Sequence, residues 1–211
     1  MSDQGVEVSE PILTLAELRE VIEPPNELVT AKETTVLDET CRDFVGRSPF
    51  MLIASCDGNG TVDISPKGDP PGFVQVFDDT TLGIPERPGN HRADTLTNIV
   101  ADPHVGLIFM IPGTKNTFRV RGTATIARDQ GIRERFELNG KVPELVTVVS
   151  VTTAYFHCAK CIIRSKLWDA SEASPSDEKL LAEAMVNHGD LPLTVDEMQM
   201  FIVDDEENRL Y

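Results

Sequence analysis

Basic residues are scarce: 19 Lys and Arg stand against 35 Asp and Glu, so the formal net charge is −16 at pH 7. That excess argues against nonspecific binding to nucleic acid or to an anionic membrane, since either partner requires a basic face to offset its own charge. Long apolar runs are missing as well. None approaches the roughly 18 to 20 residues of a membrane span, and the opening "MSDQGVEVSE" has neither a basic leader nor an apolar core. The expected location is the cytoplasm. Cysteine is sparse too. Cys41, Cys56, Cys158 and Cys161 are too few for a dense disulfide framework and read as reduced thiols. No internal repeat is visible. What is present is 211 residues, 40% hydrophobic and 26% charged, enough for one globular domain with small appendages and a substantial core.

The first segment, "LTLAELREVIEPP", spaces Leu15, Leu18 and Ile22 by three and four, with Thr14 as a cap and Pro24-Pro25 as a stop. A second helix is predicted in "TVLDETCRDFVGRSPF", which brings Val36, Leu37, Cys41, Phe44 and Val45 toward one side and ends near Gly46. The pattern then turns strand-like. "FMLIASC" and "TVDIS" flank the turn "DGNG", and "FVQVF" and "TTLGIP" flank Asp78-Asp79, so two hairpins are expected around an irregular "PKGDPPG". "HRADTLTNIVAD" predicts a short helix with Leu96, Ile99 and Val100 at helical spacing. Further strands are expected in "HVGLIFMIPG", "NTFRVRGTATIA", "LVTVVSVTTAYFH" and "KCIIRSKLW", with a helix in "RDQGIRERFELNG" between two of them. About eight strands with only short helices predict a closed or nearly closed barrel, because closure hides the sheet edges. The tail "SPSDEKLLAEAMVNHG" reads as a helix capped by Ser176 or Asp177 and stopped at Gly189, followed by a further short helix and an acidic end. The implied organisation is a helical segment over 1–47, a β-rich domain over 48–170 and a helical extension over 171–211.

Against so acidic a background, "RPGNHRADTL" stands out. A Gly-containing turn that leads into a helix offers free backbone N–H groups, and the helix dipole adds partial positive charge there. Arg87, Asn90, His91 and Arg92 add two guanidinium groups, an amide and an imidazole, a donor set that suits phosphate oxygens. The same residues also fit a solvated turn whose arginines pair with some of the many carboxylates. The second stretch is "DISPKGDPPGFV", where Ser65 and Lys67 close a strand with a hydroxyl, an ammonium and free backbone groups. These suit the polar edge of a planar heterocycle, or else Lys67 lies in solvent on a wide connection.

The succession "SPFMLIASCDGNGTVDISPKGDPPGFVQVFDDTTLGIPERPGNHRADTLTNI", "PHVGLIFMIPGTKNTFRVRGTATI" and "YFHCAKCIIRSKLW" resembles the pyridoxamine 5′-phosphate oxidase-like flavoproteins. Within them it is similar to a subgroup of FMN-dependent enzymes marked by an SP(R/K)GD-PGFV box, a PxRPGN-R box and an HC-K…RS-LW box. The likeness runs from about Pro49 to Trp168. It implies an FMN-binding split β-barrel, mainly β with short flanking helices, that forms a homodimer with FMN at the subunit interface. It further implies that Asn90, His91 and Arg92 hold the FMN phosphate, with Arg87 as a second contributor. Val74, Gln75 and Val76 would run along the isoalloxazine, and Ser65 and Lys67 would lie near its polar edge or the substrate. Trp168, with Arg164, would approach the flavin across the interface.

The chain departs from the vitamin oxidase in lacking its late Arg-x-His pattern and its Tyr, Arg and Ser set for pyridoxine phosphate. The implied activity is therefore an FMN-dependent oxidoreductase acting on an unidentified small molecule. The alternatives are a non-catalytic flavin carrier, a relative using haem or deazaflavin, or a pyridoxamine 5′-phosphate oxidase. No acid or base is singled out, His91 being spent on phosphate. "NTFRVRGTATI" puts Arg119 and Arg121 on one strand face. Solvation accounts for Arg121, and Arg119 is kept as a site residue near the neighbouring flavin. "HCAKC" supplies only half of a zinc site, so no metal is expected, and the strand reading turns Cys158 inward or to the interface.

Overall fold

The computed structural model describes residues 6–169, 179–189 and 191–209. The chain divides into two compact units, 1–33 and 34–211. The first holds α1 (Leu15–Val21) and α2 (Glu27–Thr30). Thr14 and Glu17 close a capping box at the start of α1, whose residues are all solvent-accessible, so its order comes from local hydrogen bonding and not from burial.

In the second unit α3 (Glu39–Arg47) is followed by β1 (Phe50–Cys56), β2 (Val62–Gly68), β3 (Gln75–Asp78), β4 (Thr81–Pro85), α4 (Asp94–Ala101), β5 (His104–Met110) and β6 (Thr117–Ala127). Then come α5 (Gln130–Arg133) with a 3-10 turn (Glu134–Phe136), β7 (Val146–His157), α6 (Lys160–Ser165), α7 (Leu180–Gly189) and α8 (Val195–Asn208). Seven antiparallel strands form one sheet in the order β2-β1-β5-β6-β7-β4-β3. One face carries Met51, Ile53, Leu107, Phe109, Phe118 and Val120, buried together with Phe44 and Val45 of α3 and Ile99 of α4. Period-two alternation thus places every second residue of β1, β5 and β6 in one core. α3 starts at Asp38, whose carboxylate accepts from Cys41 N–H. It is tied to the β3–β4 turn by Arg42 donating to Asp79 at 2.7 Å. Gly83 on β4 lies beneath Phe77 and Phe136, and a Cβ there would meet the Phe136 ring at 2.7 Å.

The expected barrel is seven-stranded and, among the described residues, not closed by a ladder between β2 and β3. The edge strand β2 is instead clasped by side chains to the segment that leaves β4. Lys67 on β2 reaches Glu86, just past β4, at 2.6 Å, and Arg87 reaches Asp69, just past β2, at 2.6 Å. The Asp69 side chain is 1% exposed. Thr147 on β7 donates to the other Glu86 oxygen at 3.0 Å, and Arg87 also donates to the Phe136 carbonyl at 3.0 Å.

Three element expectations are corrected. "KCIIRSKLW" forms α6 and a turn instead of a strand, with Ile162 buried and Ile163 56% exposed, and among the described residues no strand pairs with it. Cys158, expected to turn inward or to the interface, follows the end of β7 and is exposed, so it does not turn into the core. "PKG", expected to be irregular, continues β2 to Gly68 through its pairing with Phe50; Pro66 is tolerated because β2 is an edge strand. On α4 the buried residues are Thr95, Asn98 and Ile99, with Val100 80% exposed. Asn98 is drawn inward by a buried hydrogen bond to the Ser55 hydroxyl at 3.0 Å. α7 and α8 pack on each other, and the expected caps Ser176 and Asp177 lie outside the described residues. Among the described residues no helix is long and apolar enough to cross a membrane.

The clasp predicts a stability effect. Arg87→Ala leaves the Asp69 carboxylate buried without its guanidinium, and loss of one partner of a buried pair costs about 3 kcal/mol. Urea unfolding of the variant beside the parent protein measures it.

Candidate cofactor site

The segment 86–93 joins β4 to α4 and passes along the edge strand β2. Glu86 meets Lys67, Arg87 meets Asp69, and Asp63 is a charge neighbour of Arg92. The first two contacts fix the start of the segment at the C-terminal end of β2, and the segment itself is not part of the sheet. Asn90, His91 and Arg92 are exposed where it turns into α4. The Asn90 side-chain oxygen accepts from the Arg92 backbone N–H at 3.1 Å, and the Arg92 guanidinium donates to Asp94 at 2.8 Å. The Asp94 hydrogen bond and charge, with Asp63 behind them, hold Arg92 firmly protonated.

Two non-glycine residues of this turn occupy the left-handed region, His91 at φ 59° and Ala93 at φ 54°. Ala93 is the N-cap of α4, and no side chain caps the first turn. Ser, Thr, Asp or Asn normally fills that position and satisfies an N–H of the first turn. The arrangement is therefore a helix start that lacks an acceptor, approached by a strained backbone, with a guanidinium, an imidazole and an amide around it.

The other expected site residues fall into groups. Ser65 and Lys67 pair with Ile53 and Met51 of β1 and so point to the same face of the sheet as those two, and both are half-buried. Val74 is buried, and Val76 packs against the same core. Gln75 opens β3 and donates to the Arg135 carbonyl at 2.6 Å. A small cavity of about 140 Å³ brings Gln75 and Arg87 together with Asp69, Phe73 and Arg135. Arg119 lies on β6 against the Tyr155 ring, 5.4 Å from its centroid, with Arg121 5.9 Å away. Arg164 is exposed on α6, and Trp168 follows that helix and donates from Nε1 to the Thr114 carbonyl at 2.8 Å. Thus Lys67 and Arg87 are brought together at the end of β2 through Glu86 and Asp69, Asn90, His91 and Arg92 share the turn into α4, and Arg119, Arg164 and Trp168 stand on separate elements.

Sequence reasoning missed the carboxylates of this region. Glu86 receives both Lys67 and Thr147, Asp69 receives Arg87, and Asp94 receives Arg92. The signal was present in the alternation of acids and bases through "SPKGD" and "PERPGNHRAD". Elsewhere, burial pushes the Cys41 thiol up to about 12, with the Asp38 carboxylate adding to the effect. Cys158 and Cys161 are free and exposed, and among the described residues no three His, Cys, Asp or Glu side chains gather as metal ligands.

One open antiparallel sheet, curled so that its ends are bridged, with a polar helix start beside its edge, defines a split-barrel protein. A family model described as pyridoxamine 5′-phosphate oxidase matches residues 37–158, more than half of the 211 residues, and the chain belongs to that family. No curated protein matches the chain at a significant level. Among solved structures, HupZ of Group A Streptococcus is 19% identical, with 57% of this chain and 99% of that chain covered and a TM-score of 0.48. General Stress Protein 26 of Bacillus anthracis is 15% identical, covering 54% and 88%, at 0.43. An FMN-binding protein of Syntrophomonas wolfei is 15% identical, covering 55% and 82%, also at 0.43.

The strain before α4 is testable apart from any ligand. Ala93→Gly removes a left-handed Cβ clash, and a gain of about 1 kcal/mol is expected in thermal or urea unfolding. No gain would mean that the turn relaxes in solution.

Proposed function

We propose that the chain is an FMN-dependent oxidoreductase that acts on a small molecule as a homodimer, with FMN at the subunit interface. The observation that carries this reading is the α4 start: an N-cap with no side-chain acceptor, a strained approach, and Asn90, His91 and Arg92 exposed around it. A phosphate monoester supplies the acceptor that such a turn lacks, and its charge matches the helix dipole. The residues present therefore fit the phosphate end of FMN.

In this reading Arg92 grips the phosphate, Asn90 shapes the turn and His91 adds a donor. Arg87 braces the turn from behind through Asp69 and the Phe136 carbonyl. Lys67, held by Glu86, would put positive charge at the polar edge of the ring, with Ser65 beside it, while the backbone of Val74, Gln75 and Val76 orients that ring. Arg119, Arg164 and Trp168 would meet the flavin of the second copy. FMN, when bound, supplies the two-electron chemistry, and the protein supplies position and electrostatics.

Arg92→Ala is expected to weaken FMN by about ten- to a hundredfold, the worth of a charge-assisted hydrogen bond, while leaving riboflavin nearly unaffected. Titrations of both ligands measure this, and equal losses would refute the phosphate role. Trp168 is the one tryptophan of the chain, so its emission reports on one place. Added FMN should quench it, and an unchanged emission at saturation would remove Trp168 from the site.

A further inference from the structure

The sheet carries a second polar constellation on the face opposite the core. β1 pairs with β5 in a register that runs from Phe50 with Met110 to Ala54 with Gly106. The ladder ends there; carried two residues further, the same alternation turns Cys56 and His104 to one face. Both line an open groove of about 600 Å³, with Val62, Arg121, Thr123 and Thr152 as other walls.

His104 is held in one orientation. Asp102 accepts from its backbone N–H at 3.0 Å and contacts its Nδ1 at 2.6 Å. Those two contacts keep the Asp102 carboxylate below the usual range, so it is an ionised acceptor and the Nδ1 proton points at it. Nε2 is then the nitrogen left to exchange protons. A cysteine, an imidazole and an orienting carboxylate are the parts of an assisted thiol nucleophile, and the Arg121 guanidinium supplies a cation for an acidic ligand.

We infer that Cys56, His104 and Asp102 form a thiol-exchange site for a small acidic disulfide of the oxidised-glutathione class, seated in this groove with a carboxylate toward Arg121. In the step, His104 Nε2 takes the Cys56 proton and the sulfur attacks one sulfur of the disulfide. The S–S bond breaks, a mixed disulfide forms on Cys56, and the departing thiolate recovers the proton from His104. Cys56 is oxidised and half of the ligand is reduced. Asp102 is a positioning residue.

Exposure alone predicts the opposite order of reactivity. Cys158 and Cys161 are exposed, Cys56 is half-buried and Cys41 is buried, so an unassisted Cys56 should lag behind the first two. The test is exposure of the native protein, as purified, to oxidised glutathione, with peptide mass mapping over time. Cys56 is expected to be modified at least about tenfold faster than Cys158 or Cys161, a modest share of what a positioned base supplies. His104→Gln should abolish that lead, and Asp102→Asn should reduce it, with circular dichroism confirming the fold of each. Arg121→Gln should slow oxidised glutathione but not the uncharged 2-hydroxyethyl disulfide. A Cys56 that lags, or a lead that survives both His104→Gln and Asp102→Asn, overturns the assignment. Equal slowing of both disulfides by Arg121→Gln overturns the acidic ligand.

Discussion

Everything in the β-rich unit depends on how an open sheet keeps its two ends together. β2 and β3 end the strand order and share no ladder among the described residues, yet Lys67–Glu86 and Arg87–Asp69 join the β2 margin to the segment that leaves β4, the neighbour of β3, at 2.6 Å each. Backbone closure would be insensitive to sequence, because any residue offers an N–H and a carbonyl. Closure by side chains ties the shape of the barrel to four particular residues. It also leaves the split between the margins lined with polar groups, and the segment that leads to α4 runs along that split.

The sheet was legible because its signals are local and redundant. β1, β2, β5, β6 and β7 alternate or run apolar over seven to twelve residues, and the turns between them carry Gly, Asp or Asn. α6 was not legible as a helix. "CIIR" is rich in β-branched residues, and the information that no strand among the described residues pairs with it sits elsewhere in the chain. Whether the barrel closes fully or only nearly was open for a related reason: strand number and edge pairing are properties of the whole sheet, and periodicity reports on one strand at a time.

The site was legible to the extent that its cations are unusual in an acidic chain, which directs attention to Arg87, Asn90, His91 and Arg92 at once. Their partners were not, because with 35 acidic residues no spacing rule selects Glu86, Asp69 or Asp94. The two sequence readings of the turn, anion cradle and arginines paired with carboxylates, turn out to divide the residues between them. Arg87 is committed to Asp69, which is almost fully buried, whereas Arg92 shares its charge with Asp94 in the open. An arginine with an exposed partner can change partners at little cost, since the pair it leaves is worth little in water.

Gly83 shows how far a single hydrogen atom can act. The space it leaves on β4 is filled by the rings of Phe77 and Phe136, 6.0 Å apart, with the Arg135 guanidinium 4.1 Å from the Phe77 ring centroid. The Phe136 carbonyl held by this stack is the one that accepts from Arg87. A residue without a side chain thus acts as the seat of a lever: the seat admits an aromatic pair, and the backbone of one member of that pair is a resting point for the Arg87 guanidinium.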